Sequence, residues 1–267
     1  MSIYEETKYI MNKYNVHPNK RLGQNFLFDE ISLYKIAENV NKEDTIIEIG
    51  PGLGTLTAIL AEKANNVIAI ELDSKMVEIL NERFKLYKNV EILNEDILKI
   101  DINKIAPNAK VVANLPYYIT TSIITNLLKT NIRDITILIQ KEVAERICAI
   151  PGTKNAGSIT YFVNYYAEAE VLANVAKESF IPIPEVESSI VRLKIRNKKL
   201  VDVKNEKLFF EIIKTNFNQR RKTILNSLSG IIGKEKLKNI LKELNIEDSI
   251  RGESLTLEQY AEISNRL

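Results

Sequence analysis

Asn114-Leu115-Pro116-Tyr117, directly after a predicted β-strand, is the stretch of this sequence whose residue types and order suit a definite reaction. An adenine-type amine is a weak nucleophile, because its lone pair is conjugated into the ring. Two acceptors that take hydrogen bonds from its two hydrogens favour a tetrahedral nitrogen whose lone pair points at an electrophile. The amide oxygen of Asn114 is one such acceptor, and the backbone carbonyl of Leu115 or Pro116 is the other. Pro116 fixes its own φ and restricts the residue before it, so the carbonyl is held in place beforehand. Tyr117 offers a flat face on which a base can stack. No strong general base is required, since the nitrogen becomes acidic once it carries a new substituent and a positive charge. The alternative is a plain turn, in which Asn114 caps the helix starting near Ile119 and Tyr117 is core.

Phe180, in Ser179-Phe180-Ile181-Pro182-Ile183-Pro184, is a candidate second stacking face held by a loop stiffened by two prolines. A buried Phe that anchors the loop fits the same residues equally well. A base inside a duplex cannot present its amine, so the target must be flipped out or lie in a loop.

A second group of residues suits a nucleoside. Gly50, Gly52 and Gly54, in Glu48-Ile49-Gly50-Pro51-Gly52-Leu53-Gly54, follow a predicted strand and open a predicted helix. Missing Cβ atoms let a ligand approach the backbone, and helix N-terminal amides point outward. The spacing G-x-G-x-G differs from the G-x-G-x-x-G of dinucleotide loops and suits a nucleoside cofactor without a pyrophosphate, although a structural turn or an NAD site remains open. Glu71 ends the next strand, 21 residues after Gly50, where an acidic side chain accepts hydrogen bonds from ribose hydroxyls. Asp96 follows the third strand and can accept the adenine amine of the cofactor, or simply cap the turn before Ile97.

Composition narrows the alternatives. The chain has one histidine, His17, and one cysteine, Cys148, which excludes a disulfide framework, a thiolate zinc site and any Ser-His-Asp or Cys-His mechanism needing a second imidazole. His17 sits in a polar run that reads as a solvated loop. No metal is expected. No stretch reaches the roughly 18 apolar residues of a membrane-spanning helix, and the first residues lack an apolar signal core, so a cytoplasmic protein is expected. Net charge is only +2, yet Arg192 to Lys222 holds eleven basic against three acidic side chains. Arg192, Lys194, Arg220, Arg221 and Lys222 are the candidates for contact with a polyanion such as RNA. A solvated linker and helix face is the bland alternative.

Short β-branched runs at 45–49, 66–71, 90–93, 110–114 and 135–140 alternate with helical periodicity at 55–63, 74–87 and 119–129. This alternation predicts a parallel sheet covered by helices on both faces. After Pro151-Gly152, residues 158–167 and 188–195 read as longer strands forming an antiparallel edge. Helical patterns at 206–216, 222–228, 234–244 and 257–267 follow. The expected division is an α/β domain over 1–197, with an N-terminal helical extension, and a helical RNA-binding domain over 198–267.

Taken together, Arg21-Leu22-Gly23-Gln24-Asn25-Phe26-Leu27, the stretch Glu48 to Gly54, Asn114 to Tyr117 and Phe180 to Val191 resemble the ribosomal small-subunit RNA adenine dimethyltransferase family, the KsgA type. The resemblance runs from about residue 20 to the end. It implies a Rossmann-like class I methyltransferase fold, with a mostly parallel seven-stranded sheet and a small all-helical C-terminal domain. It also implies S-adenosylmethionine as methyl donor, and transfer of two methyl groups to each of two adjacent adenosines near the 3′ end of 16S rRNA. By the same match Asn25 and Leu27 join Gly50, Glu71, Asp96 and Asn114 at the cofactor. The implied partner is small-subunit rRNA or the assembled 30S particle, met by a monomer that contributes to ribosome biogenesis. The large-subunit methyltransferases of the antibiotic-resistance type share the chemistry, and a non-catalytic RNA-binding assembly factor shares the fold. Residues 1–15 have no assigned role.

Overall fold

The computed structural model describes residues 1–19 and 22–267. Arg21, the first residue of the N-terminal motif, lies outside them. The chain forms two compact units, Met1–Ala144 with Glu170–Ile195, and Glu145–Ala169 with Arg196–Leu267.

The first unit runs α1 (Ile3–Lys13), β1 (Phe26–Leu27), α2 (Glu30–Ile36), β2 (Thr45–Ile49), α3 (Thr55–Lys63), β3 (Asn66–Glu71), α4 (Ser74–Phe84), β4 (Val90–Asn94), α5 (Ile102–Ile105), β5 (Lys110–Asn114), α6 (Thr120–Leu127) and β6 (Asp134–Gln140). It is completed by most of β7 (Ala167–Val175), by β8 (Phe180–Ile181) and by β9 (Ser188–Ile195). The seven-stranded sheet has the order β4-β3-β2-β5-β6-β9-β7. Strands β4, β3, β2, β5 and β6 are mutually parallel, and β9 lies antiparallel to β6. Ile46 and Ile47 are chain neighbours, so they point to opposite faces, and both are fully buried. That is why β2 reads as an unbroken apolar run rather than an alternation.

The strand order creates the site. From β2 the chain passes outward to β3 and β4 on one side, then returns to β5 and β6 on the other. Connections leaving the carboxyl ends of β2 and β5 therefore diverge, which opens a crevice at the switch in direction. The glycine loop and Asn114 stand at that switch. A short antiparallel pair, β1 with β8, joins Phe26 to Ile181 and Leu27 to Phe180. It ties the N-terminal segment to the proline-stiffened loop.

In the second unit, α7 (Lys141–Ile147) leads in from the first. Helices α8 (Ser158–Tyr166), α9 (Glu206–Asn218), α10 (Ile224–Ile232), α11 (Lys234–Glu243) and α12 (Leu257–Asn265) make up its bulk. Two expectations need correction here. Of residues 158–167, all but Ala167 form a helix and not a strand, because Tyr161 and Tyr165, like Phe162 and Tyr166, recur at helical spacing and find aromatic partners. Tyr161 meets Tyr260 edge-on at 5.3 Å, and Tyr165 meets Phe209 at 5.5 Å. The Tyr161 hydroxyl also donates to the Leu255 carbonyl at 2.5 Å. For the same reason, residues 145–169 group with the C-terminal helices instead of with the expected 1–197 domain.

Candidate active site

A cavity opens at the carboxyl ends of β2, β3 and β5. Its floor is the glycine loop. Gly50 and Gly52 sit at φ of 67° and 56°, left-handed values that disfavour any side chain. A Cβ on Gly50 would meet only the Asn114 carbonyl oxygen, at 3.9 Å, and would otherwise take space from the cavity. The loop is pinned by Glu71, whose Oε2 accepts from the Gly52 amide at 3.0 Å while Oε1 accepts from the Asp73 amide at 2.9 Å. Each carboxylate oxygen still has a lone pair for a ribose hydroxyl. Burial pushes the Glu71 carboxyl above its ordinary range, opposed by those two amides. Asp96 lines the same cavity. It also caps its own turn, accepting from the Leu98 amide at 3.0 Å, so the capping and ligand-facing readings coexist.

Asn25, Leu27, Asn114, Leu115, Pro116 and Tyr117 line this cavity too. Asn114 closes β5, and its Nδ2 donates to the Asn25 carbonyl at 3.1 Å. That bond fixes which way the amide faces: with the nitrogen engaged, Oδ1 is the acceptor presented on the other side. Asn25 in turn donates to the Gly23 carbonyl at 3.1 Å, which stiffens the segment. The Pro116 carbonyl accepts from the Thr120 hydroxyl at 3.0 Å. Tyr117 is half-buried, with its hydroxyl 2.7 Å from that of Ser188. Burial raises its pKa, so the phenol stays neutral and the ring is held by one end.

Three residues proposed from sequence lie away from the cavity or are held by a partner of their own. Gly54 does not line the cavity. At φ 82° it starts α3, and a Cβ there would fall 2.6 Å from the Phe84 ring and 2.8 Å from Leu80 of α4. Its smallness serves helix packing. Phe180 is 1% exposed and belongs to the core cluster that contains Leu27, Leu33 and Leu60. It presents no face to a base, because pairing with Leu27 turns it inward. Arg192 is not a free cation: two of its nitrogens bond the Asp134 carboxylate, at 3.0 and 2.7 Å, across β9 and β6. Lys194 is exposed. In the second unit Arg220 donates to the Ala156 carbonyl at 2.5 Å and lies over the Phe217 ring while remaining exposed, as are Arg221 and Lys222.

Other lining residues went unassigned. Gln24 donates to Asp73 at 3.0 Å, fastening the N-terminal segment to the start of α4. Glu48 is 1% exposed within β2, and its Oε2 has no hydrogen-bond partner. Burial, with the Glu71 charge nearby, pushes its pKa up to about 8. An acidic residue inside an otherwise apolar strand was the available signal. Among the described residues, no group of three His, Cys, Asp or Glu side chains is placed to hold a metal.

Residues 15–267 match the family described as ribosomal RNA adenine dimethylase. The chain belongs to that family. It is 48% identical to the Ribosomal RNA small subunit methyltransferase A of Clostridium botulinum (strain Kyoto / Type A2), with 97% of each chain covered. It is 43% identical to the protein of the same name from Clostridioides difficile (strain 630), over 99% of this chain and 96% of that one. Among solved structures it is similar to a dimethyladenosine transferase from Plasmodium falciparum, at 26% identity and a TM-score of 0.76, covering 89% of this chain and 95% of the other. The 23S rRNA methyltransferase ErmE gives 26% identity and a TM-score of 0.71, over 91% and 99%. The sheet order described above is thus the Rossmann-like fold of class I methyltransferases.

Proposed function

We propose that the chain transfers methyl groups from S-adenosylmethionine to the exocyclic N6 of two adjacent adenosines near the 3′ end of 16S rRNA, two to each. The observation that carries this is the orientation of Asn114. Its amide nitrogen is spent on the Asn25 carbonyl, so its oxygen is left to accept from an amine entering the cavity. Because the Pro116 carbonyl is engaged by Thr120, the second acceptor is assigned to the Leu115 carbonyl. Together these two oxygens draw the amine hydrogens out of the ring plane and return the lone pair to nitrogen, an effect of positioning and charge stabilisation. Tyr117, held through Ser188, offers its ring to the base.

The cavity fits the donor on its own features: open space beyond Gly50, and a buried carboxylate at Glu71 with capacity for two hydroxyls. Glu71 would hold the ribose, Asp96 the adenine amine, and Asn25, Leu27 and Gly50 the remainder. S-adenosylmethionine supplies an electrophilic methyl carbon on a sulfonium. After one transfer the amine keeps a single hydrogen, so only one of the two acceptors still binds, and the pocket must admit a methyl group where a hydrogen was.

Exposed Lys194, Arg221 and Lys222 fit phosphate contacts, which set position while the pocket selects the base. The substrate is proposed to be the small-subunit RNA in an assembled 30S particle. The test is incubation of unmodified 30S particles with labelled donor, followed by nucleoside analysis. Dimethyladenosine in 16S rRNA is expected, and none with the Asn114→Ala protein. Label confined to 23S rRNA would point to the large-subunit type, and label absent from both would overturn the reading.

A further inference from the structure

The N-terminal helix takes no part in the proposed reaction, yet it is fastened to the back of the cofactor loop. Ile10 of α1 shares an apolar cluster with Phe26, Leu53, Met76 and Ile79. Phe26 and Leu53 are also walls of the cavity. Beside this cluster Arg83, in the last turn of α4, makes two bonds at once. Its Nη1 donates to the Leu53 carbonyl, and its Nη2 donates to Glu6 of α1 at 2.5 Å. The Arg83 side chain is only 14% exposed. The Leu53 carbonyl comes just before Gly54, the N-cap residue of α3, so it lies outside the hydrogen-bond ladder of that helix.

We infer that Arg83 is a positioning residue for the cofactor loop, and that α1 holds it in place through Glu6 and Ile10. A planar guanidinium with both ends engaged is rigid in direction. Without Glu6 it is a largely buried cation left with the Leu53 carbonyl and the Phe84 ring and no counter-charge on that side, and it turns toward water. Movement there reaches the cavity by a short path. The Phe26 ring lies 3.1 Å from where a Cβ on Gly52 would stand, and the Gly52 amide is one of the two bonds that aim Glu71. Two further contacts, Lys13 with Glu82 at 2.9 Å and Lys75 with the Asn15 carbonyl at 2.7 Å, fasten the helix and its exit to α4.

The inference rests on the reading that the cavity takes an S-adenosyl cofactor, and calorimetric titration of the protein with S-adenosylhomocysteine separates the two. If the wild-type chain fails to bind, the cofactor reading falls. If it binds, Arg83→Met should raise Kd about tenfold and Glu6→Gln about threefold, with Arg83→Lys recovering part of the loss. Amide exchange at Gly52, Leu53 and Gly54 should quicken in the same order. A purely structural ion pair would lower the melting temperature and leave Kd and those amides unchanged. Unchanged Kd in both Arg83→Met and Glu6→Gln would overturn the inference, and Glu6→Gln alone decides it if Arg83→Met does not fold.

Discussion

Replacing Glu48 with Gln should stabilise the protein near neutral pH and flatten the dependence of its stability on pH. In the folded chain this carboxyl is enclosed in β2 with one oxygen unpartnered, and the equally buried Thr57 hydroxyl beside it only partly opposes the effect of burial. Burial lifts its pKa from 4.5 to about 8. The unfolded chain therefore gives up this proton near 4.5 while the folded chain keeps it to about 8. Between those values the unfolded state binds fewer protons, so stability is fully present below the lower one and declines as pH rises. At roughly 1.4 kcal/mol per unit, the loss accumulated by about pH 7 is on the order of 3 kcal/mol. Gln does not titrate, has nearly the same shape, and its amide can donate to Thr57. Glu71, also raised by burial, adds a slope of the same sign to both proteins and drops out of the difference. Urea denaturation followed by circular dichroism, from about pH 5 to about pH 8, should give a gap between E48Q and wild type that widens with pH. A gap constant across that range would refute the argument, because it would mean that the carboxyl titrates alike in both states.

Tyr117→Ala should weaken productive RNA binding by about 1–3 kcal/mol through lost stacking, read as KM for RNA under saturating methyl donor. Gly54→Ala should cost about 2–4 kcal/mol of stability, from left-handed strain and overlap with Phe84, visible as a lowered denaturation midpoint. Neutralising Arg221 and Lys222 together should flatten the slope of log affinity against log salt by about 1–2. Arg192→Ala should instead lower stability by about 1.5–3 kcal/mol and leave that slope as it was.

The sheet was legible in the sequence because strands buried on both faces are apolar throughout, and Ile46, Ile47, Val111 and Val112 admit no other reading. Asn114 and Tyr117 were legible because they are adjacent to a strand end and to a proline. What could not be read depends on partners remote in sequence. The β-branched and aromatic residues of 158–166 suit a strand by type, and only their packing against α9 and α12 makes them helical. Whether Phe180 faces a ligand or the core depends on its pairing with Leu27. A charge count sees Arg192 as a cation, whereas the register of β6 against β9 gives it Asp134. The third glycine looks like its two predecessors, yet it answers to Phe84. Asn25 offers the site its backbone carbonyl as well as its side chain, and the carbonyl leaves no trace in residue type.

The hydrogen bond from Asn114 to the Asn25 carbonyl also bears on which purines can be admitted. With the nitrogen turned away, the Asn114 amide and, on the proposed reading, the Leu115 carbonyl show an incoming ring two oxygens. Adenine meets them with two N–H groups. Guanine or hypoxanthine would set a keto oxygen against them, lone pair facing lone pair. Discrimination between amino and keto purines thus requires no side chain that touches the keto group; it follows from which end of one amide is already occupied.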